Sequence, residues 1–202
     1  MTKVLIGFLG STLDKGVGKK RWDSWRPSVS LFQQEDLLFD RLDLIYQIQY
    51  KNLLTIVVED IRLVSPETTI RTHEMQLQDA WDFQEVYSSM HDFARNYHFD
   101  TDKEEYYFHI STGTHVMQIC SFLLTESRHF PARLIQSSPP NRHHPKEPGT
   151  YVLIDLDLSK YDRIAQRYYE ERSESQKFLK SGIETRDPHF NQLIEQIEHA
   201  AI

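Results

Sequence analysis

The chain has 202 residues, 39% of them hydrophobic and 26% charged, with a formal net charge of -7. That is the profile of one soluble domain with a proper core, and it excludes broad binding to duplex nucleic acid, which needs a basic face. A single cysteine, Cys120, excludes an internal disulfide framework, and no apolar run approaches the ~18 residues that cross a bilayer.

Residues 4–9 (VLIGFL) are too few for a signal-peptide core, so a cytoplasmic protein is expected. Closed by Gly10-Ser11-Thr12, this run reads as a buried parallel strand leaving a sheet. Residues 15–27 are loop-like, residues 29–33 fit no single period, and residues 42–48 form a second strand candidate. Residues 52–63 carry a helical stripe closed by Ser65-Pro66. Residues 68–77 alternate as a strand. Asp82 then caps a helix, with Glu85 as its capping-box partner. Phe83, Val86, Tyr87, Met90, Phe93, Ala94 and Tyr97 recur there at helical spacing and read as core.

Residues 106–110 form the next strand, followed by the turn Ser111-Thr112-Gly113-Thr114-His115. Val116, Ile119, Cys120, Leu123 and Leu124 then trace a helix that stops before Pro131. Residues 133–136 and 152–156 are strands, separated by a polar loop at 141–149. Ser159 caps a long helix to about residue 180, stopped by Gly182. A last helix follows Asp187-Pro188, with the stripe Leu193, Ile194, Ile197, Ala200 and Ala201. It reads either as a link to a further domain or as a helix docked on this one. Strands alternating with helices predict an α/β, Rossmann-like parallel sheet with helices on both faces.

In such a sheet, ligands bind beyond the carboxyl ends of the strands, where strand order reverses. Gly10-Ser11-Thr12 and Thr112-Gly113-Thr114-His115 suit that crevice. Their small residues admit a phosphate close to backbone N–H groups, their hydroxyls can donate, and the helix from Thr114 adds its positive end. Residues 15–26 form a cationic island of Lys15, Lys19, Lys20, Arg21 and Arg26 against one acid, Asp23. Arg21-Trp22 and Trp25-Arg26 alternate cations with flat rings. Exposed, they could stack a base and pair a phosphate; buried, the tryptophans would be core. Arg26 is the leading phosphate partner, because its fork suits that group.

Standard nucleotide motifs fail: Arg21 stands where the third glycine of G-x-G-x-x-G belongs, and Lys19-Lys20 completes no P-loop. His109 and His115, six apart, suit no common zinc pattern. His143 and His144 lie in a polar loop and read as solvated. No cofactor and no catalytic triad are expected, and His115 reads as a ligand contact.

Several segments together carry a resemblance. They are Gly10-Ser11-Thr12-Leu13-Asp14, Arg21-Trp22, Trp25-Arg26-Pro27-Ser28, Gln34-Glu35-Asp36, Asp40-Arg41-Leu42 and Ser65-Pro66-Glu67-Thr68. They continue through Trp81-Asp82-Phe83, His91-Asp92-Phe93-Ala94-Arg95, Thr112-Gly113-Thr114-His115, residues 131–140 (PARLIQSSPP) and residues 178–183 (FLKSGI). The chain resembles the regulatory domain of the RtcR family, sigma-54-dependent activators of an RNA-repair operon. The resemblance implies a dimeric, Rossmann-like CARF domain over residues 1–182, with residues 183–202 leading to an AAA+ ATPase that this chain lacks. It implies a ligand-sensing, non-enzymatic domain that binds RNA with a 2′,3′-cyclic phosphate end and relieves inhibition of that ATPase. Contact with sigma-54 RNA polymerase and promoter DNA would run only through the missing domains. CARF pockets use the turns after the first and fourth strands, which here implies Gly10, Ser11, Thr12, Thr112, Gly113, Thr114 and His115. Asp14 and Ser137 are counted with this set. Lys19, Lys20, Arg21, Trp22, Trp25 and Arg26 join it on charge and aromaticity. The alternative is a ring nuclease cleaving cyclic oligoadenylates, with His115 and Lys20 assisting.

Overall fold

Six strands in the order β3-β2-β1-β4-β5-β6 make one sheet. The computed structural model describes residues 1–16, 18–141, 143 and 147–154. The strands are β1 (Thr2–Phe8), β2 (Arg41–Tyr46), β3 (Thr69–Glu74), β4 (Glu104–His109), β5 (Ala132–Ser138) and β6 (Thr150–Ile154). The helices are α1 (Pro27–Ser30), α2 (Lys51–Val64), α3 (Phe83–Asn96) and α4 (His115–Glu126). The helices expected after Ser159 and Asp187, and the boundary at 182, lie outside the described residues.

The first five strands are parallel, and β6 runs antiparallel to β5. The sheet is thus mostly parallel, as expected, with one antiparallel edge strand. A parallel return needs a crossover of a dozen or more residues, usually helical. The connection from Ser138 to Thr150 is shorter than that, so the chain doubles back.

Side chains alternate across each strand, and both faces are apolar. Leu5, Leu42, Leu44 and Ile135 pack with Val29, Leu31, Leu54, Val57 and Ile61, which lie in or beside α1 and α2. Ile6, Phe8 and Phe108 belong to the other face, where α3 and α4 contribute Val86, Met90, Cys120 and Leu124, all buried. Cys120 is thus a core residue, as its place in the apolar stripe predicts.

One charged cluster sits within that second layer. Asp43 on β2 accepts from Arg41 at 2.9 Å, from Tyr97 at 2.7 Å and pairs with His73 at 2.6 Å. Arg41 also forks onto Glu104. Burial alone would raise the Asp43 carboxyl, but these hydrogen bonds outweigh it and hold it below the usual range. The capping box of α3 is partly different from expectation. Asp82 accepts the Glu85 N–H at 2.7 Å, whereas the Glu85 carboxylate takes the N–H groups of Gln78 and Asp79.

Candidate functional site

Strand order reverses between β1 and β4, so their C-terminal turns open side by side. The two turns are locked together. Thr112 donates its hydroxyl to the Phe8 carbonyl at 2.7 Å. A side chain at Gly10 would collide with Thr112 and Asp14, with atoms as close as 2.6 Å. Asp14 closes the first turn, accepting the Gly10 N–H at 2.8 Å while also taking the Ser28 N–H and hydroxyl. Gly113 adopts φ of 88°, the left-handed region that favours glycine, and an added Cβ would press on Met117.

Beside these turns lies a recess of about 390 Å³, within the span typical of small-molecule sites. Ser11, Thr12, Gly113, Thr114 and His115 line it. Its floor includes the buried Phe8, Ile45, Met75 and Met117. The remaining walls come from the turns after β2 and β3, through Gln47, Gln49, Tyr50, Gln78 and Trp81. Sequence reading missed these last residues. The same rule, that ligands meet the carboxyl ends of strands, applies to β2 and β3, but neither turn carries the glycine or hydroxyl pattern used to find the others.

Thr114 caps α4, accepting the Met117 N–H at 3.2 Å and donating to the Ala80 carbonyl at 2.7 Å. The first-turn N–H groups of a helix have no intrahelical acceptor, which leaves those of His115 and Val116 at the positive end of α4. Ser11 and Thr12 make no side-chain hydrogen bond among the described residues, so their hydroxyls remain available. No Lys, Arg, Asp or Glu stands among the described residues lining the recess.

Several expected contacts are committed elsewhere. Asp14 is fully buried, and burial pushes its carboxyl up despite the hydrogen bonds it accepts. It shapes the turn from inside the fold. The N–H of Gly10 and the hydroxyl of Thr112 are spent inside the fold. Ser137 is buried, pairing with His109 Nε2 at 2.9 Å and with Ser111. Burial also pushes His109 down to about 3, so it stays neutral.

The cationic tract does not join the recess. Arg26 is 3% exposed and donates to Asp60 of α2 at 2.7 Å. Arg21 forks onto the same carboxylate at 2.7 and 2.8 Å. Asp60 is fully buried; the two guanidinium groups overcome its desolvation and lower it. Trp22 is exposed, with Arg26 5.2 Å and Arg21 5.8 Å from its ring centre. The cation-and-ring alternation is therefore an internal cation–π arrangement. Trp25 is half-buried beside Arg26 in a small recess of about 30 Å³. Lys19 and Lys20 are exposed and line neither recess among the described residues, so Lys20 does not accompany His115.

Comparison with known proteins bears on the fold and the family. To Enterococcus italicus Csm6 bound to cyclic hexa-2′-fluoro-hexa-dAMP, a solved structure, the chain is similar with a TM-score of 0.56 and 15% identity. That likeness covers 89% of this chain and 45% of that one, and shows the Rossmann-like α/β fold. The chain is 54% identical over 201 residues to the transcriptional regulatory protein RtcR of Escherichia coli (strain K12). The match covers 98% of this chain but only 38% of that relative. A family profile described as RtcR, regulator of RNA terminal phosphate cyclase, matches residues 1–182. Identity above half across nearly the whole chain, together with that profile match, means that this chain belongs to the RtcR family of regulators.

Proposed function

We propose that this chain is the ligand-sensing domain of an RNA-repair transcription regulator, and that it binds RNA bearing a 2′,3′-cyclic phosphate end. The ligand enters the recess between the β1 and β4 turns and leaves it chemically unchanged. The observation that carries this reading is the donor set. Ser11 and Thr12, with free hydroxyls, and Thr114 and His115 at the start of α4 line a cavity with no charged side chain among its described lining residues. Neutral donors and a helix N-terminus suit a single negative charge. A cyclic phosphate carries one, whereas a phosphomonoester carries about 1.5 to 2 at neutral pH. A site without a cation therefore favours the cyclic end. Further support comes from the family's description as regulators of RNA terminal phosphate cyclase and from the oligonucleotide held by the similar Csm6.

The domain works as a homodimer. On α4, Ile119, Phe122 and Leu123 are exposed while Cys120 and Leu124 on the opposite side are buried. An exposed apolar patch opposite the buried face of a helix calls for a second partner. An uncharged apolar patch is self-complementary, as a two-fold interface requires. Since α4 begins at His115 on the rim, pairing through α4 couples ligand binding to the subunit interface. The ligand can shift that interface, and with it an attached AAA+ ATPase, only by binding the two states unequally.

The decisive measurement is calorimetric binding of RNA oligomers identical except for a 3′ hydroxyl, 3′ monophosphate or 2′,3′-cyclic phosphate. The cyclic end should bind at least about tenfold more tightly than either other. Equal affinity for all three removes the end-sensing reading.

A further inference from the structure

The recess offers more than its rim needs for a phosphate. Beyond the two turns, its walls include amides and aromatic rings, Gln47, Gln49 and Gln78 with Tyr46, Tyr50 and Trp81, beside the aliphatic Leu77 and Ala80. Gln49 Nε2 donates to Gln47 Oε1 at 2.9 Å. That bond leaves the Gln47 amide nitrogen and the Gln49 amide oxygen uncommitted among the described residues, a donor beside an acceptor. Such a pair is what the hydrogen-bonding edge of a nucleobase complements. Trp81 is 62% exposed at the mouth, with its backbone N–H on Asp79 and its ring edge-on to His115 at 6.3 Å. A large aromatic left open to water beside a cavity is a surface on which an unstacked base can lie.

We propose that the body of the recess takes the terminal nucleobase of the ligand. Gln47 and Gln49 read its edge, Trp81 covers its ring, and the cyclic phosphate stays at the rim with Ser11, Thr12 and the start of α4. This rests on the end-sensing reading for the position of the phosphate, but the base pocket is separable from it by experiment.

The test uses the full chain and two RNA probes with 2′,3′-cyclic phosphate ends, one intact and one lacking only its terminal base. Removing the base should weaken binding at least about tenfold, from lost stacking and edge contacts. Gln47→Ala and Gln49→Ala should weaken the intact probe and leave the abasic one unchanged, with little change in melting temperature because Gln49 is exposed and Gln47 only half-buried. Equal affinity of the two probes overturns the base pocket while end sensing stands. If instead the three RNA ends prove equivalent, the riboside of 2-aminopurine decides. Quenching of its fluorescence that disappears in Trp81→Ala and Gln47→Ala upholds the base pocket without end sensing, and no quenching overturns it.

Discussion

His109 shows how burial alone sets a side chain's chemistry. It ends β4, two residues before the turn that opens at Ser111, and is 2% exposed. With no acid beside it, burial drives its pKa down to about 3, so the folded protein holds it neutral. An unfolded histidine titrates near 6.5. Between those values the unfolded chain binds the extra proton, so stability falls as pH drops from about 6.5 towards 3, by up to ~1.4 kcal/mol per pH unit. Above pH 6.5 both states are neutral and the term vanishes. His109→Gln keeps a polar tip within reach of Ser137 but cannot gain the proton. Its melting temperature should therefore decline less steeply than the wild type's between pH 7 and pH 5. Parallel declines would show that His109 does not govern stability in this pH range. Asp14 works in the opposite direction, because a carboxyl raised by burial is relieved as pH falls.

Among the elements, the segment from 18 to 30 and helix α2 depend on each other through Asp60. Two arginines from the loop converge on one fully buried carboxylate in the helix. Breaking a buried pair by removing one partner leaves an uncompensated charge, at a cost of about 3–5 kcal/mol. Asp60→Ala strands the buried Arg26 and should incur that loss in urea unfolding. Arg26→Ala should cost at least ~1 kcal/mol but less than Asp60→Ala, since Arg21 still neutralises the carboxylate. A variant at Arg26 that folded as stably as the wild type, yet bound RNA poorly, would restore the phosphate role expected from sequence. The tract looked like a ligand site because its cations had one local acid, Asp23. Their true partner lies 34 and 39 residues away, beyond any pattern read along the chain.

For the whole molecule, the open question is what covers the outer side of α4. In the proposed homodimer, Ile119→Glu with Phe122→Glu places two carboxylates on the shared apolar patch. Both positions are exposed in the single chain, so the fold should survive while the mass measured by light scattering falls from dimer to monomer. A wild-type chain that is already monomeric, or a variant that keeps its dimer mass, removes the proposal. Where the fold was legible, the cause was local. Strand and helix periods, the Asp82 and Thr114 caps, and the small-residue turns after β1 and β4 are each set by neighbours within a few residues. Because open parallel sheets bind ligands where strand order reverses, those turns also located one side of the recess.

Sequence by itself thus determined the α/β class, the order of elements through β5 apart from the short helix α1, the family, and the pair of turns that meet at the centre of the sheet. Tertiary structure alone decided three matters: that β6 turns back, that Arg21, Arg26 and Asp14 are internal, and that Gln47, Gln49 and Trp81 complete the recess. The division has one physical cause. Periodicity and capping are short-range, whereas the fate of a charge or a cavity depends on which distant groups folding brings within a few ångströms, and there desolvation must be met by a partner or not borne at all.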